Sequence, residues 1–336
     1  MTTFWFIVVA FMWTGFMVLE GFDFGVGMLH GVVGRDEVGR RVAIATIGPV
    51  WDGNEVWLIV AAASMFAAFP GWYATLFSGL YLALVLLLVG LILRGVTFEF
   101  RGKRDSARWR RGWDAALLFG STLTPLLIGV ALSNLLGGLP IDAQQEYVGT
   151  FADLLTPYAI VGGLTFVLMC LLHGATFLAL KTAGDVRERA LRVARKVGVV
   201  TALAVVAYVI WTHILAGKGL LLSVVELTAI MAVLAALWLV WDKREGWAFA
   251  ATAVTIASVV VSIFAGLYPR VMVSTMGAAN DLTVANTASG AYALKVMTVV
   301  AVVLLPAVLA YQAWSYHVFR KRLSRADLVG ADGSAA

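Results

Sequence analysis

Nine runs of about twenty mostly apolar residues divide this chain of 336 residues, and each run is long enough to cross a membrane as a helix. The chain is 61% hydrophobic and only 13% charged, a composition that excludes a soluble globular protein. Its polar stretches are too short to bury a core of their own. We therefore predict an all-α polytopic membrane protein with nine transmembrane helices, at approximate limits 4–31, 44–69, 73–94, 113–136, 155–180, 193–216, 221–241, 247–268 and 290–319.

The basic residues predict the orientation of these helices. If nine spans alternate, 22 of the 25 Lys and Arg residues fall on one side of the membrane, and only Lys218, Arg270 and Lys295 fall on the other. Because loops rich in Lys and Arg stay in the cytoplasm, we predict an outside amino terminus and a cytoplasmic carboxyl terminus. The net charge of +5 then reflects orientation, so we expect no nucleic acid partner.

The domain organisation follows from the same pattern. Residues 1–325 are expected to form a single transmembrane helical domain. Residues 326–336, rich in Gly, Ala and Asp, are expected to form a disordered cytoplasmic tail.

Four carboxylates interrupt the first two apolar runs. Glu20 and Asp23 lie in the first span, and Asp52 and Glu55 lie in the second. An ionisable group in hydrocarbon costs at least about 2.5 to 3.5 kcal/mol, so such groups usually have a function. Antiparallel packing would put Asp23 and Asp52 about 12 to 15 Å from the cytoplasmic helix ends, with Glu20 and Glu55 one turn deeper. The two tiers indicate a proton relay, or alternatively acids that only bond a neighbouring helix or subunit.

Histidine is the residue that most often ligates haem in a helical bundle. The chain has four histidines, and of these only His173 lies well inside a predicted span. A lone buried histidine is more often hydrogen-bonded than metal-bound. We therefore expect neither a metal site nor a tightly bound cofactor in this chain. The single cysteine, Cys170, excludes an intrachain disulfide.

Two charged residues near the third predicted span, Arg94 and Glu99, do not require a functional explanation such as a proton relay. Arg94 and Glu99 would lie at the cytoplasmic end of the span 73–94, within reach of water. We expect a local ion pair there.

Two motifs carry a family resemblance. Residues 21–28, Gly-Phe-Asp-Phe-Gly-Val-Gly-Met, and residues 49–58, Pro-Val-Trp-Asp-Gly-Asn-Glu-Val-Trp-Leu, resemble subunit II of the cytochrome bd quinol oxidases. The second motif is highly specific in its membrane setting, whereas a glycine-rich first helix alone would be a weak signal. Further similar segments are residues 66–70, 77–79, 108–114, 125–131, 134–136, 174–176, 268–269 and 296–298.

The resemblance implies a haem-free, nine-helix subunit in a bacterial-type cytoplasmic membrane. Its partner would be subunit I, which carries haem b, haem d and the quinol site and reduces dioxygen to water. No catalytic residue would lie in the present chain, which would be inactive alone. The resemblance also allows small single-helix subunits as further partners, and a structural quinone or lipid bound to this chain.

The resemblance also implies residue roles. The carboxylates that match Asp23 and Asp52 belong to a cytoplasmic proton route in the family, and we extend that expectation to Glu20 and Glu55. The tryptophan that matches Trp57 borders an apolar oxygen path. Glu55 departs from the pattern, since other members can have Gln there, so it adds a proton site or only preserves hydrogen bonding. The motif residues Trp51, Gly53 and Asn54 complete the expected site.

Two other classes of function compete with this interpretation. A proton-coupled secondary transporter could use the same acids, but the sequence has no internal repeat of the kind many transporters show. A purely structural scaffold would use the acids only to bind its partner.

Overall fold

The computed structural model describes residues 1–217 and 219–328, which are mostly helical. Of the predicted disordered tail, residues 329–336 lie outside the described part. The helices are α1 (Thr2–Val33), α2 (Glu37–Ala45), α3 (Trp51–Ala68), α4 (Pro70–Gly79), α5 (Tyr81–Phe100), α6 (Ala107–Gly137), α7 (Pro157–Lys181), α8 (Gly184–Ala216), α9 (Leu220–Trp241), α10 (Glu245–Leu267) and α11 (Ala291–Val318). Two short strands, β1 (Arg270–Met272) and β2 (Leu282–Thr283), pair antiparallel in the loop before α11.

Eight of the described helices are long and apolar enough to cross a membrane, namely α1 and α5 to α11. This confirms an all-helical polytopic membrane protein. The predicted second span corresponds to α3, which is not among the eight. Its first turns carry Asp52, Asn54 and Glu55, which lower its mean hydropathy. The count of nine spans and the orientation of the termini stay predictions.

The bounds of the second predicted span, 44–69, were wrong at their start. Helix α2 ends at Ala45, residues 46–50 form turns, and α3 begins only at Trp51. Pro49 accounts for the break, because proline has no backbone N–H to donate within a helix. Asp52 is therefore the second residue of α3. The prediction that it lies two turns or more inside a helix is wrong.

The third predicted span, 73–94, was displaced. The apolar run there contains two helices, α4 and α5, and the second continues to Phe100. Arg94 consequently lies six residues before the helix end, a distance of about 9 Å at 1.5 Å per residue. It is fully buried, so the expected local ion pair with Glu99 at the water interface is wrong.

Helix α1 lies at the centre of the bundle, where it packs against α3, α6, α7 and α10. Its closest neighbour is α7, because two glycines face each other. A Cβ added to Gly25 would lie 2.6 Å from the Cα of Gly174 and closer still to the backbone oxygen of Cys170. Small residues of this kind let helix backbones approach in a membrane.

An ionic cluster joins the ends of the helices on the basic side of the bundle. Arg101, just after α5, donates to Glu37 at 2.7 Å and to Asp114 at 2.6 Å. Burial disfavours the charged guanidinium, but the hydrogen bonds that it donates to the two carboxylates outweigh this effect and hold the pKa of Arg101 above its ordinary value. The cluster therefore ties α2 to the ends of α5 and α6.

The contact between α1 and α7 can be tested with one added methyl group. We expect Gly25→Ala to force the helices apart and to destabilise the protein by about 1 to 3 kcal/mol, the usual cost of overpacking. The measurement is the thermal unfolding midpoint in detergent. Gly31→Ala on the same helix is the matched control, because nothing lies within 4 Å of a Cβ there. Equal midpoints for the two variants would contradict this packing.

Candidate functional site

A cluster of charged side chains is buried where α1, α3 and α5 meet. Nη1 of Arg94 on α5 lies 2.5 Å from Oε1 of Glu20 on α1 and 2.5 Å from Oε1 of Glu55 on α3. The side chains of Arg94 and Glu20 are fully buried, and that of Glu55 is 23% exposed. One guanidinium therefore bridges two helices that each bring a carboxylate.

The cluster has two more carboxylates than cations, because Asp23 adds a third acid. Asp23 is fully buried on α1, three residues from Glu20, a spacing that puts the two side chains on the same face of the helix. Full ionisation of three acids beside one cation is costly in a low-dielectric interior. Such a group of acids shares protons and titrates as a unit. The arrangement can therefore store and exchange a proton.

Asn54 holds this group together by using all of its amide. Its Nδ2 donates to Oδ2 of Asp23 at 2.6 Å and to the backbone oxygen of Leu19 at 3.2 Å. Its Oδ1 accepts from Nε2 of Gln312 at 2.9 Å and from the hydroxyl of Tyr316 at 2.8 Å. Asn54 thus fixes the Asp23 carboxyl and connects α1, α3 and α11.

Aromatic rings surround the Arg94 guanidinium. Its Cζ lies 5.1 Å from the ring centroid of Phe24, 5.5 Å from that of Phe98 and 6.0 Å from that of Trp51. The rings of Trp51 and Phe98 pack against each other with centroids 4.6 Å apart. Cation–π attraction stabilises the buried charge, and the rings hold it in place.

Further polar side chains lie along α1 between this cluster and the basic end of the bundle. Ser121 of α6 meets α1 at Gly27, one turn beyond Asp23, and its hydroxyl has no partner among the described residues. One turn further, Nε2 of His30 lies 3.3 Å from Oδ1 of Asp114. Hydroxyl, imidazole and carboxyl groups can all pass protons. The described residues therefore place proton-exchanging groups from the bundle end to the buried acids.

Asp52 is the one predicted acid that the structure does not bring into the cluster. It is exposed in the first turn of α3, and no hydrogen bond or ion pair joins it to another described residue. Gly53 is also exposed. Trp57 is buried, and its ring packs against Gly15 and Phe11 of α1.

Three residues of the site were not predicted to belong to it, namely Arg94, Gln312 and Tyr316. A signal for Arg94 was available, because an arginine inside an apolar run needs a buried acid as its partner. Gln312 and Tyr316 gave no such signal, since polar residues near a helix end are ordinary. Their role depends on the packing of α11 against α3, which no local pattern indicates.

His173 does not fit a haem ligand in the described structure. Its Nδ1 lies 2.6 Å from Oγ1 of Thr252, and its Nε2 lies 3.1 Å from the backbone oxygen of Val18. Its ring stacks on Phe249 with centroids 4.5 Å apart and an interplanar angle of 2°. Both ring nitrogens are occupied by protein groups, and the flat face is covered.

Two apolar cavities lie on either side of α3. One of about 510 Å³ opens between α1, α3 and α11 and is lined by Trp5, Gly53 and Trp57 among others. The other, of about 580 Å³, lies between α3 and the helices α4 to α6. Ile59 and Ala63 line both cavities. Apolar space therefore borders α3 along the half that follows the acids.

Comparison with known proteins places the chain in a family. The family model described as cytochrome bd terminal oxidase subunit II matches residues 1–319. A Bacillus subtilis protein, cytochrome bd ubiquinol oxidase subunit 2, is 46% identical over 96% of this chain and 97% of its own length. An Escherichia coli K12 protein, cytochrome bd-I ubiquinol oxidase subunit 2, is 34% identical over 96% and 95%. A chain in the structure of the bd oxidase from Geobacillus thermodenitrificans has the same fold, with a TM-score of 0.68, 18% identity and coverage of 94% of this chain and 98% of that one.

The buried charge can be tested by removing the cation. We expect Arg94→Met to lower stability by about 3 kcal/mol or more, because it leaves buried carboxylates without their partner. The measurement is the thermal unfolding midpoint of the purified protein. Adding Glu20→Met to Arg94→Met should recover part of the loss. Lys103→Met, at an exposed position, is the control, and a parental midpoint for Arg94→Met would refute the bridge.

Proposed function

Because this chain belongs to the cytochrome bd terminal oxidase subunit II family, and so is a membrane subunit of a quinol oxidase complex, we propose that it conducts protons from the cytoplasm to its partner subunit. The observation that carries the proposal is the buried group of Glu20, Asp23 and Glu55 around a single Arg94. An excess of acids over cations in a membrane interior is typical of proton paths.

The complex supplies the chemistry that the chain lacks. We propose a haem-bearing subunit I as the partner, with haem b and haem d, which oxidises quinol and reduces dioxygen to water. The present chain is haem-free and inactive alone in this proposal. It lies in the bacterial cytoplasmic membrane with nine spans and an outside amino terminus, and small single-helix subunits can join the complex.

The route begins at the basic side of the bundle. Asp114 lies two turns inside α6, its side chain is 14% exposed and it contacts the buried His30 of α1, so we propose that a proton enters from water through Asp114. The Ser121 hydroxyl lies one turn deeper, and Asp23 follows after another turn. A proton moving along this side of α1 therefore meets a polar group at each turn.

At the cluster, Arg94 and Asn54 have different tasks. Arg94 balances the charge of one carboxylate, so a proton can pass from one acid of the cluster to another without changing the net charge of the site. Asn54 donates to Asp23 and so aims its carboxyl. Glu55 is the acid with partial exposure, and we propose that it carries protons from the buried pair toward the surface of α3.

Asp52 then serves as the exit group. It is exposed on α3, three residues before Glu55, on a face that the described chain leaves open. A partner subunit seated there would receive the proton directly from this carboxylate. The scaffold alternative assigns Asp52 to partner binding alone, and turnover measurements separate the two roles. Family membership gives no support to the transporter alternative.

The apolar cavities offer a route for dioxygen, which is small and apolar. We propose that oxygen moves along α3 through the spaces bordered by Ile59 and Ala63, past Trp57. The rigid packing of Trp57 against Gly15 keeps the cavity wall in place.

The proton route predicts a specific result for Asp52. Asp52→Asn keeps the size of the side chain but removes its proton, so we expect quinol oxidase turnover to fall about tenfold, equivalent to about 1.4 kcal/mol of barrier. Haem content and assembly should be unchanged, because asparagine keeps the shape of the side chain and Asp52 forms no ion pair with another described residue. Oxygen consumption by the purified complex is the measurement.

Two further variants serve as controls for that experiment. Asp52→Glu should restore part of the rate, since the longer acid still exchanges protons. Glu55→Gln should slow turnover less than Asp52→Asn, because an amide can preserve the hydrogen bond from Arg94. Parental turnover of Asp52→Asn across the pH range, in a fully assembled complex, would favour the scaffold.

The haem-free character predicts the spectrum of the isolated subunit. Because His173 is held on both ring nitrogens, we expect the chain expressed without subunit I to show no Soret band. Visible spectroscopy of the folded, purified subunit is the measurement. A Soret band that persists in His173→Ala would show haem bound elsewhere in the chain, and one lost in that variant would show ligation by His173.

A further inference from the structure

A pocket opens at the basic side of the bundle where α6 begins. Its volume is about 510 Å³, and its walls come from the loop after α5 and the first turns of α6. The lining residues include Arg104, Ser106, Arg108, Trp109, Gly112 and Trp113. It is separate from the proton-exchanging groups proposed above.

Two arginines of this pocket carry uncompensated charge. Arg104 and Arg108 are exposed and form no ion pair with another described residue. Arg101 and Arg110 nearby do pair with acids, since Arg101 contacts Glu37 and Asp114, and Arg110 contacts Asp105 at 2.8 Å. The two arginines that line the pocket therefore keep a positive charge that no acid of the described chain neutralises.

The aromatic walls of the pocket are held rigidly. Nε1 of Trp109 donates to the backbone oxygen of Phe100 at 2.8 Å, and the Arg104 guanidinium lies 4.6 Å from the centroid of the Trp109 ring. The Trp113 ring packs edge to face against Trp109 at 5.6 Å. Gly112 leaves the floor open, because nothing lies within 4 Å of a Cβ there. The pocket is thus open space between a positive rim and fixed rings.

The position along the helix identifies the ligand class. Tryptophan is enriched at the headgroup level of membranes, and Trp109 and Trp113 lie in the first two turns of a membrane-spanning helix. The next turns expose Leu118 and Phe119, with 47% and 51% of their surface accessible. A ligand bound here would have a phosphate beside the arginines and apolar chains along the helix.

We propose that this pocket binds the headgroup of an anionic phospholipid such as phosphatidylglycerol. The two guanidinium groups would bind the phosphate, because each presents a planar fork of N–H donors that fits two phosphate oxygens. The rings would pack against the glycerol region, and an acyl chain would cover Phe119, which continues the pocket face of α6 one turn further. A free phosphate shares the headgroup chemistry but makes no use of the apolar surface.

The test uses the whole oxidase complex in nanodiscs of phosphatidylcholine and phosphatidylglycerol, with retained lipid counted by native mass spectrometry. Each basic residue near a membrane surface contributes roughly 1 kcal/mol, so we expect Arg104→Gln with Arg108→Gln to weaken phosphatidylglycerol retention about tenfold or more. Gly112→Trp, which fills the floor and keeps both charges, should also reduce retention.

The matched control removes the same charge from outside the pocket. Lys103→Gln with Arg111→Gln changes two exposed basic residues of the same segment that do not line it, and retention should stay parental. Inorganic phosphate at millimolar concentration should not displace the lipid. Equal retention in the two double variants, displacement by inorganic phosphate, or no retention by the parental complex would each overturn the proposal.

Discussion

The packing of α1, α3 and α5 depends on one interaction, that of a buried guanidinium with the carboxylates around it. Arg94 is fully buried, and such a charge is tolerated only when acids face it directly. Glu20 and Glu55 meet that need from two other helices, each 2.5 Å from the same nitrogen. Nη1 of Arg94 therefore fixes how far α1 and α3 are shifted along their axes relative to α5, because both carboxylates must reach the same atom. Asn54 extends the constraint to α11 through Gln312 and Tyr316.

The sequence predicted the helical membrane class and all three acids of the cluster, because apolar length and buried charge are local signals, but it also placed Asp52 among them. The helix boundaries between residues 34 and 100 could not be predicted from these local signals. Hydropathy measures composition and does not register a break such as Pro49, so Asp52 was placed too far inside a helix. The same averaging merged α4 with α5 and put Arg94 at a helix end. Its partners became visible only when three helices were packed together.

The exposed surfaces of the chain have a common physical meaning. The first turn of α3 presents Asp52 outward, and α11 buries only Leu294 among its residues. A carboxylate facing lipid is costly, and a helix attached mainly by a few hydrogen bonds gains little from its own bundle. A subunit of a larger oxidase has a protein neighbour, and under the proposed function that neighbour covers the Asp52 face of α3 and the open side of α11.

The ratio of acids to cations separates a structural ion pair from a site that can move protons. A single carboxylate opposite Arg94 would balance the buried charge. It would stay ionised, because protonating it would leave the guanidinium without a counter-charge. One cation balances the charge of only one of the three acids, and Glu20 and Asp23, three residues apart on the same face of α1, cannot both ionise cheaply. The fixed amide of Asn54 keeps that pair aligned while its protonation changes. In the proposed role, Arg94 holds the three helices together while the acids that it does not neutralise exchange protons.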